Sequence, residues 1–340
     1  MTGYDKRQKR AMVNRLVDKK LLILGASGLI GSRLATAWAH RSLVATYRAR
    51  PIVGGVFFDV SRERLKDRIL QPNHGITHAV LAHGISKLED CARRRDAAVA
   101  TNVTGTLRAI DDLLDAGVHL IFLSSDAVFG GAPGLRTEAD EPCPILSYGR
   151  DKRAVETYLS KQVQPWTILR LTKVIAGFTD YRNPLSRWLA AIDAGQPIRC
   201  ATDQTLTPVD LDYVIRAILF CVGSRIEGIF HVSGSERVTR HALLLRLLAQ
   251  MPAAFRRRAT VQPCSIDEFA LIEKLPHNCA LSNAKFVALS GMRPRPIDET
   301  CAELSAKVVR DGDHSSNRAP GSTGIPARAG STAKSRPIKG

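Results

Sequence analysis

A chain of 340 residues is long enough for one large α/β domain, a smaller lobe and a buried core. Its net charge of +17 would suit nucleic acid, but about half lies at the ends, with seven Lys/Arg against two Asp in residues 1–20 and five against two in 311–340. The body has no basic patch interleaved with aromatics, so solvated tails around sites for small anionic molecules are expected, without nucleic acid. No apolar run approaches the roughly 20 residues that span a bilayer, so no membrane role is expected. The N-terminal segment lacks the apolar core and small-residue cleavage site of a secretory signal. Seven cysteines stand apart without a C-x-x-C pair, which predicts reduced thiols in a cytoplasm, no disulfide framework and no metal site.

Residues 1–19 read as a basic arm. "LLILGAS" then reads as a buried strand, "SRLATAWAHR" as the helix after it, and "SLVATYR", "GGVFFDV" and "THAVLAHG" as three further strands. "AAVATNVTGTLRAIDDLLDAG" has helical spacing up to a stop at Gly117. "VHLIFLSSD" is a strand, "SYGRDKRAVETYLSKQ" a helix and "WTILRLT" a strand. Strands separated by helices predict right-handed crossovers and an α/β fold with a doubly wound parallel sheet. After about residue 173 the alternation loosens around helix-like "LDYVIRAILFCV" and "HALLLRLLAQM". The expected division is a nucleotide-binding domain over 20–172, its sheet open to completion by later strands, and a smaller substrate-binding lobe over 173–310. A tail over 311–340, rich in Gly, Ser, Ala and Pro, is expected to be disordered.

The turn between the first strand and helix holds Gly25, Gly28 and Gly31, with Ser27, Leu29 and Ile30 between them. This spacing lets the backbone approach a pyrophosphate while the helix N-terminus offers N–H groups and a positive dipole end. An acidic residue at the end of the next strand would select NAD(H); "TYRAR" instead places Arg48 there. A guanidinium suits a 2′-phosphate, so NADP(H) is preferred and NAD(H) remains possible. Asp59, followed by Val60, is placed to accept from the adenine amino group. Ala82, His83 and Gly84 lie beside the expected nicotinamide ribose.

Tyr148 and Lys152, four residues apart, share one helical face. A phenol with an ordinary pKa near ~10 is a poor proton shuttle at neutral pH, and a neighbouring ammonium is expected to lower it. Ser125, at the end of the preceding strand, is placed to polarise a carbonyl or alcohol oxygen while Tyr148 exchanges its proton.

The glycine turn, "SSDAVFGG" and the Tyr148/Lys152 pair together resemble the extended short-chain dehydrogenase/reductases. Within them, "YGRDK", "ILRLTKV", "GIFHVSG" and "LPHNCALSNAKF" are similar to the dTDP-4-dehydrorhamnose reductase group, which includes the regulatory subunit of methionine adenosyltransferase. The resemblance covers about residues 20–305. It implies a Rossmann-type domain binding NADP(H) or NAD(H), a C-terminal lobe holding a nucleotide-linked sugar, and a homodimer as an open possibility. It also implies a catalytic trio of Ser125, Tyr148 and Lys152, the last two contacting cofactor as well, and cofactor binding by Asn102. Ser124, Ser125, Asp126 and Lys173 would face the substrate.

Two positions depart from the pattern. Ala127 stands where the dehydratases of the superfamily carry an acid–base glutamate and the reductases a tyrosine, so dehydration by an Asp–Glu pair is not expected. Lys173 stands where the reductases commonly carry a tryptophan over the sugar ring, and favours an anionic group instead. The reaction is expected to be keto-sugar reduction. An epimerase using the same trio and a non-catalytic cofactor-binding regulatory subunit stay open.

Overall fold

The computed structural model describes residues 16–316 apart from His40 and Asn73. The first half runs β1 (Leu21–Leu24), α1 (Leu29–Ala37), β2 (Leu43–Tyr47), β3 (Val56–Phe57), α2 (Leu65–Arg68) and β4 (His78–Leu81). It continues with α3 (Leu88–Arg93), α4 (Arg95–Val99), α5 (Thr106–Asp115), β5 (His119–Ser125), α6 (Ser147–Leu159) and β6 (Trp166–Leu171). The second half begins with β7 (Val174–Ile175), α7 (Pro184–Asp193), β8 (Ile198–Ala201), β9 (Thr205–Leu206) and β10 (Val209–Asp210). There follow α8 (Leu211–Ser224), β11 (Gly228–Val232), β12 (Val238–Thr239), α9 (Arg240–Gln250) and α10 (Ala253–Arg256). β13 (Val261–Cys264), β14 (Asn278–Cys279), α11 (Ala284–Ser290) and α12 (Ile297–Ser316) complete the chain described.

Seven strands form one parallel sheet in the order β3-β2-β1-β4-β5-β6-β11. Every residue of β1 and β4 is buried because helices cover both faces. Strand alternation sorts the side chains between two cores. Leu21, Ile23, Ile121 and Leu123 pack with α1 and α8, whereas Leu22, Leu24, Leu120 and Phe122 pack with α5 and α6. The strand order reverses between β1 and β4, which opens a crevice at the carboxyl ends of the central strands.

The expected doubly wound sheet is present, and a later strand completes it, as the sequence reading allowed. β11, with α8 packed beside it, returns from beyond residue 173 to close the sheet, so the large domain is built from two stretches of chain. Among the described residues, three small sheets lie outside the large one: β7 with β10, β8 with β13, and β9 between β12 and β14. The lobe's own core joins Leu185 and Leu189 of α7, Leu244 and Leu248 of α9 and Leu304 of α12. The long helix expected over residues 97–117 is split, because a π-helical stretch at Ala100–Gly105 lies between α4 and α5. At the ends, Leu16 is buried in the core rather than part of a solvated arm, and α12 carries helix through Ser316 into the stretch expected to be disordered. The remainder of both tails, and His40, which the sequence reading put in the first helix, lie outside the described residues. Among those described, no helix is long and apolar enough to cross a membrane.

At the amino end of the sheet, His78 and His119 lie with ring centroids 5.4 Å apart, each with one buried, unpartnered ring nitrogen. Burial, reinforced for His78 by His119, lowers their pKa values to about 3 and about 4. In the unfolded chain they protonate near pH ~6.5, so the unfolded state binds more protons below that pH. Stability is therefore full above pH ~6.5 and is lost on acidification at about 1.4 kcal/mol per pH unit for each histidine. Urea unfolding between pH 7 and 4.5 should show this slope, and His119→Leu should reduce it.

Candidate active site

The carboxyl ends of β1, β2, β4, β5 and β6 open on a cleft of about 850 Å³ that extends into the lobe. Gly25 turns the chain at φ +89, where a Cβ would lie 2.7 Å from the His83 backbone, and a Cβ on Gly31 would lie 2.3 Å from the Gly25 carbonyl oxygen. Only glycine permits this packing of strand, turn and helix. α1 then begins after extended Gly28 with no side chain capping its first turn, so its N-terminal N–H groups are left to an anion from the cleft. This cradle fits the pyrophosphate of a dinucleotide.

Beyond the end of β2, Arg48 and Arg50 both line the cleft. The Arg50 guanidinium lies 4.7 Å from the Tyr181 ring centroid and that of Arg182 5.6 Å from it, while Arg182 donates to the Ser27 carbonyl at 2.7 Å. The lobe thereby presses a cation–aromatic stack against the glycine turn. Seven cationic side chains line the cleft, and Asp126 is the sole carboxylate among its described lining residues. Such a surface suits the phosphates of NADP(H) and a second phosphorylated molecule.

Ser125, Asp126 and Tyr148 line the cleft together. The Ser125 hydroxyl donates to Asp126 Oδ1 at 2.7 Å and accepts from the Ala127 N–H at 3.2 Å. Lys152 lies beneath Tyr148, its ammonium 5.6 Å from that ring centroid and 4.6 Å from the Phe122 ring, donating to the Leu123 carbonyl at 2.8 Å. The expected acidic phenol is corrected by these surroundings. Burial raises the Tyr148 pKa above the ordinary tyrosine value, and the Asp126 carboxylate raises it further. Burial likewise lowers Lys152 to about 8 against the opposing pull of Glu156 and Asp151. The resting pair is a phenol that holds its proton above an ammonium easily discharged.

Of the other expected residues, Gly25, Ser27, Gly28, Leu29, Arg48, Val60, Ala82, His83, Gly84 and Lys173 line the cleft. Ile30 of α1 packs on the core, Gly31 serves strand–helix contact, and Lys152 acts from below. Three assignments are corrected. Ser124 points to the opposite face of β5 from Ser125, where its buried hydroxyl donates to Glu156, itself paired with Arg170 at 2.8 Å. Strand alternation decides this, and Ser124 is structural. Asp59 uses its carboxylate on Ser61 N and Oγ within its own turn, at 3.0 and 2.6 Å, so the adenine side of the cleft falls to Phe58 and Val60. Asn102 does not line the cleft. Its amide exchanges hydrogen bonds with the Ile85 backbone at 2.8 and 3.0 Å and donates to Asp151 at 3.1 Å, tying the loop after β4 to α6. It is a positioning residue.

The sequence reading missed Arg50, Tyr181 and Arg182, as well as Arg187, Gln204 and Arg240 from the lobe. Arg50 stood within "TYRAR"; the others carry no local spacing that points to a nucleotide site. Glu273 was also missed. α6 has no capping side chain of its own, and this carboxylate reaches from the lobe to take the Ser147 N–H at 2.9 and 3.0 Å and the Ser147 hydroxyl at 2.7 Å. Arg150 adds a bond at 2.8 Å. Glu273→Ala should cost about 1–2 kcal/mol, the loss of a helix cap, and lower the melting temperature by a few degrees in thermal unfolding.

Residues 19–310 match the family described as the RmlD substrate binding domain. The chain is 29% identical over 230 residues to a probable low-salt glycan biosynthesis reductase of Haloferax volcanii, covering 64% of this chain and 75% of that one. It is 26% identical over 223 residues to a dTDP-4-dehydrorhamnose reductase of Sinorhizobium fredii, covering 63% and 75%. The solved dTDP-4-dehydrorhamnose reductase of Bacillus anthracis in complex with NADP superposes with a TM-score of 0.71 at 19% identity, covering 84% of this chain and 98% of that one, a likeness of fold. The match over nearly the whole described chain, on a sheet and cleft of this architecture, makes the protein a member of the RmlD substrate-binding family, in the sugar-nucleotide reductase group of the extended short-chain dehydrogenase/reductases.

Proposed function

We propose that the protein reduces a keto group on a nucleotide-linked sugar with NADPH. The observation that carries this reading is that Ser125 and protonated Tyr148 open into the same cleft as the glycine turn and Arg48. The α1 N-terminus and Arg182 border the place for the cofactor pyrophosphate, and Arg48 with Arg50 the place for its 2′-phosphate. Bound there, NADPH supplies the hydride for the carbonyl carbon.

Ser125 turns its hydroxyl from Asp126 to the carbonyl oxygen and holds it toward Tyr148. Tyr148 gives that oxygen its proton, which suits a phenol whose surroundings favour the protonated form. Hydride on carbon and proton on oxygen together convert the ketone to an alcohol. Lys152 steadies the phenolate left behind, and solvent returns the proton. Ala127 has no proton to exchange where a dehydratase needs its second acid–base group, which argues against dehydration. Free thiols and a nucleotide-sugar substrate fit a cytoplasmic setting.

The test is NADPH oxidation with a panel of UDP- and dTDP-linked keto-sugars. One NADPH consumed per alcohol formed supports reduction. Conversion without net NADPH loss identifies an epimerase, and tight NADPH binding without any turnover identifies a binding subunit.

A further inference from the structure

Lys173 follows β6 by two residues, and Leu171 at the end of β6 pairs in register with Ser125. The lysine therefore stands at the reacting end of the cleft, beside Asp126. Among the described residues no hydrogen bond or ion pair holds its ammonium. Asp126 attracts it through space, but that one carboxylate is shared with the Ser125 hydroxyl. Two further cations face it from the lobe, Arg187 of α7 and Arg240 of α9, and both push its pKa down. Arg187 has no ion pair among the described residues, and the Nε of Arg240 is buried without a hydrogen-bond partner. Three like charges thus converge on one wall of the cleft, with Asp126 the single carboxylate among its described lining residues.

We propose that Lys173, backed by Arg187 and Arg240, binds a carboxylate carried on the sugar itself, so that the substrate is an acidic keto-sugar nucleotide rather than a neutral one. The inference rests on the nucleotide-sugar reading above. Position separates the carboxylate from the substrate's own diphosphate. The diphosphate hangs from the anomeric carbon, whereas the keto carbon must lie against Ser125 and Tyr148, and Lys173 stands at that keto end. Charge agrees. A diphosphate held at the anomeric end leaves the cations at the keto end to a second anion, which a sugar carboxylate supplies. An ammonium offers three donors to a carboxylate but no face on which a neutral ring could stack.

The test uses the protein saturated with NADP+ and measures, by calorimetry, its affinity for UDP, dTDP, UDP-glucose and UDP-glucuronate. UDP-glucuronate should bind at least ~10-fold more tightly than UDP-glucose, the discrimination expected of one charge-assisted contact. Lys173→Met should bring the two within about twofold, while Lys173→Arg should keep the preference. An unchanged stabilisation by NADP+ in thermal unfolding shows that each variant is folded. Equal affinities in the wild-type protein overturn the proposal. So does a Lys173→Met variant that loses UDP and both sugars in equal measure, which would assign the cluster to the diphosphate. If neither UDP nor dTDP binds while NADP+ does, the nucleotide-linked reading itself fails, and this one with it.

Discussion

Tyr148→Phe is expected to lower turnover about 10³-fold while leaving NADPH affinity within about twofold, because proton transfer by a positioned side chain contributes roughly 10²–10⁴ in rate. The substitution removes one oxygen from a ring held over Lys152 and leaves the glycine turn and arginines untouched. Stopped-flow NADPH oxidation with a turned-over keto-sugar reads the loss, and cofactor fluorescence reads the affinity. Equal turnover in both proteins would remove Tyr148 from the mechanism. The pH profile adds a second reading. Burial and Asp126 keep the phenol protonated throughout the neutral range, so its own titration does not limit the rate. Lys152, lowered to about 8 by burial, is charged below that pH and neutral above it. Since the ammonium must steady the forming phenolate, turnover should be level below pH 8 and fall as pH rises through about 8. A profile flat to pH 10 would exclude Lys152 from that role.

Arg48→Ala should reduce the preference for NADPH over NADH by at least ~10-fold, and the Arg48→Ala/Arg50→Ala double variant by about 100-fold, since a hydrogen bond to a charged group contributes roughly 1.5–3 kcal/mol. The side chain of Arg48 has no hydrogen bond or ion pair among the described residues, so its removal gives up only a through-space attraction to Asp59. Arg50 stacks on Tyr181, so part of its loss would fall on the lobe's grip of the cleft. Binding constants for both cofactors at two ionic strengths measure the effect. NADPH affinity should weaken with salt more than NADH affinity, because the extra phosphate is the screened charge. An unchanged ratio in both variants would place the 2′-phosphate elsewhere.

Much of this protein is local enough to be legible in its sequence. The glycine turn needs glycine at fixed spacing, and the helical repeat places Tyr148 and Lys152 on one face wherever α6 sits. The alternation of short apolar runs with helical ones required a parallel sheet, and the sheet is parallel throughout its seven strands. Even the correction to Ser124 was implicit in strand alternation, since a residue next to Ser125 in β5 must face the other side until the strand ends.

The sequence by itself determined the glycine turn, the arginine that follows β2 and the proposed reacting groups, because each depends on neighbours a few residues away. Only the tertiary structure decided their electrostatic state and their surroundings. Tyr148 holds its proton because burial and then Asp126 favour the neutral phenol, and burial is a property of packing. Arg182, Arg187 and Arg240 reach the cleft, and Glu273 the start of α6, from a lobe that follows in the chain, so no spacing reveals them. Charges and desolvation act through space, and the folded chain alone sets those distances.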